Sequence, residues 1–160
     1  MKHFKLTSET KTNVLGIKLF RIECTKDCKW AKVGEKGGWI EKEENLSDNA
    51  WVSGNAEVYG NAWVSGDAKV SGNAWVSGNA KVSGNAKVYG NDDYCCFQSF
   101  GSANRTTTVF KTPDGVRINC GCFNGSLDDF VKQVEKTHGD NKFGREYRAI
   151  IEVIKAKFEL

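Results

Sequence analysis

Regularly spaced tryptophans and lysines in the middle of the chain could recognise an aromatic anion. The tryptophans are Trp51, Trp63 and Trp75, and the lysines are Lys69, Lys81 and Lys87. An indole ring can stack on a nucleobase, and an ammonium group can pair with phosphate. Tryptophan also anchors protein interfaces. The set therefore predicts a site for a nucleotide-like ligand or for a protein partner.

Two tyrosines and four arginines complete this candidate binding site. They are Tyr59 and Tyr89 in the same segment, and Arg105, Arg117, Arg145 and Arg148 in the C-terminal part. The tyrosines would add aromatic area to an exposed surface. The arginines, like the lysines, would meet a phosphate group.

The other reactive residue types form no recognisable catalytic pattern. The cysteines are Cys24, Cys28, Cys95, Cys96, Cys120 and Cys122. None of their pairs has CxxC spacing, so we expect reduced, buried thiols, with a zinc site as the alternative. The two histidines, His3 and His138, lie outside the repeated segment, and His138 follows a predicted helix as a charge partner for its end. We therefore expect no enzymatic activity, no metal and no cofactor.

A six-residue repeat between residues 46 and 91 must position the tryptophans and lysines. Valine recurs at every sixth residue from 52 to 88, and alanine does so from 50 to 86. In a strand these two residues share one face, and the residue between them points the other way. Gly-Asn or Gly-Asp then supplies the positive φ of a tight corner. The repeat predicts short strands joined by corners, and Ile40 and Leu46 extend the valine row backwards.

This pattern resembles the hexapeptide-repeat, left-handed parallel β-helix family, in which an aliphatic residue is followed four places later by a small one. Val70 with Ala74, and Val76 with Ala80, carry the resemblance. It implies a triangular coil of eighteen residues per turn, wound to the left. It also implies a homo-oligomer, because family members often trimerise and exposed tryptophan rows favour a covered face.

An eighteen-residue turn would stack the outward side chains in rows. The expected rows are Trp51 with Lys69 and Lys87, Glu57 with Trp75, and Trp63 with Lys81. Tyr59 and Tyr89 are expected to point outward as well. Stacked tryptophan and lysine would form cation–π contacts even if no ligand binds there.

The chain divides into three predicted parts. Residues 1–39 form an N-terminal β cap, residues 40–91 form the β-helix, and residues 92–160 form a C-terminal α+β domain. The predicted fold class is mainly β: a short left-handed parallel β-helix with an N-terminal β cap and a C-terminal ββαα unit.

The C-terminal part has the signals of two strands and two helices. We predict strands over Phe100–Phe110 and Val116–Phe123, on either side of the turn Thr112-Pro113-Asp114-Gly115. A first helix starts at the cap Ser126, and a second helix runs from about Lys142 to Phe158.

Composition excludes several classes of protein. The chain has 160 residues, of which 39% are hydrophobic and 27% charged, as in a globular protein. No apolar run approaches the roughly 20 residues that a membrane helix needs, so we expect no membrane association. A net charge of +3 is too small for a dedicated duplex-DNA binder. The first residues lack an apolar stretch, so we expect no signal peptide and a cytoplasmic location, the host cytosol if a phage encodes the protein.

Both flanks of the repeat resemble hypothetical proteins of phages and prophages, often described as transferase-like or polymer-forming. In the N-terminal flank the resemblance rests on Leu19-Phe20-Arg21-Ile22 and Lys36-Gly37-Gly38-Trp39-Ile40-Glu41. In the C-terminal flank it rests on Cys120-Gly121-Cys122-Phe123 with Thr137-His138-Gly139-Asp140-Asn141 and Glu146-Tyr147.

The resemblance implies a non-enzymatic binding protein that counters host defence. We expect it to bind a host defence component, and to sequester a nucleotide immune signal. One alternative is an anti-CRISPR-type inhibitor that blocks a host effector by protein contact. The other is a hexapeptide-repeat acyltransferase, which would bind a thioester cofactor.

Overall fold

The computed structural model describes residues 2–160, which form two compact units, residues 2–91 and 92–160. The protein is mainly β, and its two α-helices both lie in the C-terminal unit, as predicted. Neither helix of the described residues has the length and apolar content needed to cross a membrane.

The hexamers form a series of two-residue strands. These are β4 (Trp51–Val52), β5 (Glu57–Val58), β6 (Trp63–Val64), β7 (Lys69–Val70), β8 (Trp75–Val76), β9 (Lys81–Val82) and β10 (Lys87–Val88). Strand β7 pairs in parallel with both β4 and β10, β5 pairs with β8, and β6 pairs with β9. The chain thus returns to the same sheet after eighteen residues, and the predicted outer rows are in register.

Alternation within each hexamer fills the interior with valine and alanine. The valines from 52 to 88 and the alanines from 50 to 86 are at most 1% exposed. Backbone hydrogen bonds join successive turns, as between the Trp51 amide and the Ala68 carbonyl at 3.0 Å. The corners require glycine: Gly66 has φ +64°, and a Cβ there would lie 2.9 Å from the Gly84 nitrogen.

Three longer strands precede the repeat: β1 (Phe4–Thr12), β2 (Lys18–Cys24) and β3 (Lys36–Ile40). They form an antiparallel sheet, and β3 then pairs in parallel with β5. Ile40 lies opposite Val58, and Leu46 bridges to Val64. Both Ile40 and Leu46 are fully buried, so the predicted backward extension of the valine row is confirmed.

The C-terminal unit has a four-stranded antiparallel sheet rather than the two predicted strands. Its strands, in spatial order, are β11 (Tyr94–Phe100), β12 (Arg105–Thr112), β13 (Gly115–Cys120) and β14 (Phe123–Ser126). The continuous strand predicted over Phe100–Phe110 is wrong, because a turn interrupts it. Gly101 and Asn104 have positive φ in that turn. The strand predicted over Val116–Phe123 is likewise split by a turn, at Gly121 (φ +59°).

The two helices agree with the sequence prediction. Helix α1 (Leu127–Thr137) begins at Ser126, whose hydroxyl accepts a hydrogen bond from the Asp129 amide at 3.2 Å. Helix α2 spans Lys142–Phe158. Both helices pack onto the sheet through a buried apolar cluster that includes Ile118, Phe130 and Ile154.

Candidate functional site

Two of the predicted outward aromatics, Trp51 and Tyr59, are buried, which corrects the sequence prediction. Trp51 is 2% exposed and Tyr59 is 6% exposed. The N-terminal segment covers Trp51: the His3 ring centroid lies 6.0 Å from that of Trp51, and a Cβ on Gly37 would be 2.8 Å from Trp51 Cζ2. Trp51 therefore belongs to the core rather than to a binding surface.

The row of Glu57 and Trp75 is covered at one end and open at the other. Glu57 is buried beneath β1, where Lys11 forms an ion pair with it at 2.9 Å. The Lys11 ammonium also lies 4.8 Å from the Trp39 ring centroid. Trp75, in contrast, is 40% exposed.

The row of Trp63 and Lys81 remains accessible. Trp63 is 43% exposed, and its indole nitrogen donates a hydrogen bond to the Ser47 hydroxyl at 2.7 Å. Lys81 lies beside it in register on the next strand. Because Trp63 and Trp75 belong to different sheets, the structure does not bring the predicted tryptophans together on one platform. Tyr89 is half exposed.

Lys69 and Lys87 contact a tryptophan that the sequence analysis did not select. Their ammonium groups lie 5.2 and 5.9 Å from the Trp30 ring centroid. These are the cation–π contacts of the row, in place of the expected contacts with Trp51. The sequence feature that could have identified Trp30 as a cation–π partner is that Lys29 and Lys32 flank it.

Three of the four predicted arginines are held by protein groups. Arg117 donates to Asn124 Oδ1 at 2.6 Å, and Arg145 donates to the Asp140 carbonyl at 2.8 Å. Arg148 pairs with Glu135 at 3.0 Å. Arg105 differs, since its guanidinium has no ion pair or hydrogen bond within residues 2–160 and lies at the wall of a cavity.

This cavity, of about 480 Å³, lies within the C-terminal unit. Its lining residues are Arg105, Cys120, Cys122, Phe123, Asn124, Phe130, Gln133, Val134, Thr137, His138 and Tyr147. Strands β12 to β14 and both helices contribute to it. The volume is in the range of small-molecule sites, roughly 300–1,000 Å³.

Aromatic rings form much of the cavity wall. His138 stacks on Tyr147 with centroids 5.7 Å apart and planes at 21°. Phe130 meets Tyr147 edge to face at 5.6 Å, and Phe123 lies 5.3 Å from Phe130. Phe123 and His138 are partly exposed, whereas Phe130 and Tyr147 are buried. The rings of Phe123 and His138 are therefore the ones on which a planar ligand could stack.

Hydrogen bonding holds the polar groups at the base of the cavity. Cys120 Sγ accepts a hydrogen bond from the Thr107 hydroxyl at 3.2 Å and lies 3.7 Å from Tyr147 Oη. Burial, together with Cys120, raises the pKa of Tyr147, so its phenol stays neutral. No lining residue carries a carboxylate, whereas Arg105 carries a positive charge. The cavity therefore favours an anionic ligand.

Among the residues that line this cavity, the sequence predicts only Arg105 as a binding residue. Phe130 and Tyr147 lie within the two predicted helices, and the sequence predicts His138 only as a charge partner for a helix end. The signal that could have identified the cavity was the pair of segments Cys120–Phe123 and Thr137–Asn141. The structure brings these two segments together around one space.

Comparisons with known proteins do not assign the chain to a family or a function. The chain matches no protein-family model, and no curated protein matches its sequence. Among the described residues, no three side chains of histidine, cysteine, aspartate or glutamate are grouped to hold a metal ion.

Proposed function

We propose that this protein is a non-enzymatic, phage-type binding protein that captures a nucleotide-like ligand in the C-terminal cavity. Its biological role would be to counter host defence by sequestering a nucleotide immune signal. The observation that carries the proposal is the pairing of the unpartnered Arg105 guanidinium with an aromatic wall in one cavity.

The cavity contains residues that can bind the base of a nucleotide and a residue that can bind its phosphate. A base would stack against rings such as Phe123 and His138, because stacking on aromatic side chains is favourable for every base. The phosphate would meet Arg105, whose five N–H donors suit phosphate oxygens. Asn124, Gln133 and the other polar lining residues would hydrogen-bond to the base edge.

The repeated segment is proposed to be a hexapeptide-repeat, left-handed parallel β-helix. The return to the same sheet after eighteen residues supports a coil of three hexamers per turn. The left hand rests on the family resemblance. In this proposal the coil is a rigid scaffold, and its exposed rows are available for assembly into a homo-oligomer.

A second candidate function is inhibition of a host effector by protein contact, as in an anti-CRISPR-type protein. The exposed aromatics of the repeat favour it, since Trp63 and Tyr89 are 43% and 50% exposed. Large exposed aromatics are the residue types that dominate protein interfaces. This candidate predicts a tight protein complex and no effect of small ligands.

Calorimetric titration of the full chain would test the proposed function. The probes are cyclic nucleotides, ADP-ribose derivatives and an acyl-CoA. We expect one nucleotide class to bind, and Arg105→Ala to weaken its binding by about tenfold or more, as for loss of a charged hydrogen bond. Arg145→Ala is the matched control, because Arg145 lies outside the cavity, and it should bind normally.

Other outcomes would contradict the proposal. Binding of acyl-CoA alone would favour the acyltransferase alternative. An absence of binding by every probe, with co-purification of a host nuclease complex, would favour the protein-contact function. Equal losses in the Arg105 and Arg145 variants would place the site outside the cavity.

A further inference from the structure

We propose that the N-terminal unit carries a second binding site, for a phosphate group, formed by Lys69 and Lys87 beside Trp30. This site does not depend on the cavity of the C-terminal unit. It rests on how charge is arranged along one row of the repeat.

Lys69 and Lys87 lie in register on the adjacent parallel strands β7 and β10. Neighbouring strands are about 4.8 Å apart, and like charges placed opposite each other destabilise a sheet. Neither ammonium has a carboxylate partner among residues 2–160. In the row of Glu57 and Trp75, by contrast, the charge of Glu57 is balanced by an ion pair with Lys11 at 2.9 Å.

Trp30 holds the two lysines in place without neutralising them. Its indole nitrogen donates a hydrogen bond to the Asp67 carbonyl at 2.9 Å, which fixes the ring. The ammonium groups of Lys69 and Lys87 lie 5.2 and 5.9 Å from the ring centroid. A cation–π contact attracts a cation but leaves its charge in place.

A third cation, Lys29, lies at the same ring and is paired with a carboxylate. The Lys29 ammonium is 4.9 Å from the Trp30 centroid and 3.5 Å from Asp67 Oδ2. Asp67 Oδ1 already accepts a hydrogen bond from Asn49 at 3.2 Å. Of the three ammonium groups at this ring, only that of Lys29 has a carboxylate partner among residues 2–160, so the unneutralised positive charge lies on Lys69 and Lys87.

A phosphate group could neutralise the excess positive charge of Lys69 and Lys87. It carries negative charge and several oxygen acceptors, while each ammonium has three N–H donors. One phosphate, free or attached to a small molecule, could bind both lysines and remove their mutual repulsion. The partly buried indole beside them lowers competition from water.

Titration of the full chain with pyrophosphate at low salt tests this proposal. We expect the wild-type chain to bind, and Lys69→Gln with Lys87→Gln to weaken binding by about tenfold. The matched control is Lys132→Gln with Lys136→Gln, which removes the same charge from exposed positions of α1. The control should bind pyrophosphate as the wild type does, and ribose 5-phosphate then tells whether an attached sugar is accepted.

A second measurement separates binding from folding. Removing the stacked like charges should leave the thermal midpoint of the Lys69 and Lys87 variant equal to or above that of the wild type without anion. Pyrophosphate should raise the midpoint of the wild type but not of this variant. The proposal is wrong if the wild-type chain does not bind pyrophosphate, or if the control loses affinity equally.

Discussion

The imidazole of His138 lies parallel to the phenol of Tyr147, with centroids 5.7 Å apart and planes at 21°. His138 ends α1, and Tyr147 lies on the buried face of α2. The stack therefore joins the end of one helix to the middle of the next. Both residues line the cavity, and His138 is the more exposed of the two.

Replacing His138 with alanine should weaken nucleotide binding more than it weakens the fold. A stacked base loses about 1–3 kcal/mol of binding free energy when its aromatic partner is removed. The aromatic pair itself contributes only about 0.5–1.5 kcal/mol to folding. Calorimetric titration and urea unfolding of the same variant measure both quantities. An unchanged affinity would show that His138 does not contact the ligand.

Cys122 should report directly on occupancy of the cavity. It is the one exposed thiol of the six and lies in the cavity wall. We expect it to react first with iodoacetamide, and a bound nucleotide to slow that reaction. Cys28 in the N-terminal unit serves as the internal control and should react at the same rate with and without ligand. Equal protection of both thiols, read by mass spectrometry of peptides, would contradict binding in the cavity.

Alkaline pH should destabilise the protein through Cys95. Burial raises the pKa of this thiol from its ordinary value of 9.0 to about 11. A group whose folded pKa is raised contributes stability that is complete below the unfolded pKa and is lost as pH rises through the folded pKa. The free energy of unfolding should therefore fall between pH 9 and about 11. Cys95→Ala should reduce that slope when urea unfolding is measured across this pH range, and an unchanged slope in this variant would contradict the prediction.

The interior of the repeat could be predicted because it depends on local alternation. The six-residue period alone identified the buried row that includes Ile40 and Leu46. The pairing of Trp51 with Lys69 also required the eighteen-residue turn that the family resemblance implies. The exposure of Trp51 could not be predicted in the same way. Its burial depends on His3 and Gly37, which reach it from distant parts of the chain.

The cavity could not be predicted from the sequence for a related reason. Phe123, His138 and Tyr147 come from a strand, a helix end and a second helix, and each has an ordinary structural role within its own element. Helical periodicity places Tyr147 on a buried face but does not show which residue it faces. Only the packing of both helices on the sheet leaves a space that these side chains share.

The corner glycines allow a matched test of the stacked turns. Gly66 and Gly84 have nearly equal φ, +64° and +63°. A Cβ on Gly66 would lie 2.9 Å from the Gly84 nitrogen, whereas a Cβ on Gly84 would have no atom within 4 Å. Gly84→Ala should cost about 1–2 kcal/mol of unfolding free energy from the backbone alone. Gly66→Ala should cost more, by urea unfolding, and equal costs would contradict the close stacking of successive turns.

Replacing Trp63 distinguishes nucleotide binding in the cavity from protein contact through the repeat. Its ring is 43% exposed and is anchored through Ser47 in the N-terminal unit, so it forms no part of the cavity wall. Trp63→Ala should therefore leave nucleotide affinity unchanged. If exposed rows mediate assembly, the same variant should shift the native mass spectrum towards monomer, because an anchoring tryptophan contributes about 2 kcal/mol or more to an interface. Lys26→Ala, at an exposed position of the same unit, is the control. A loss of nucleotide binding in the Trp63 variant would move the ligand site from the cavity to the repeat.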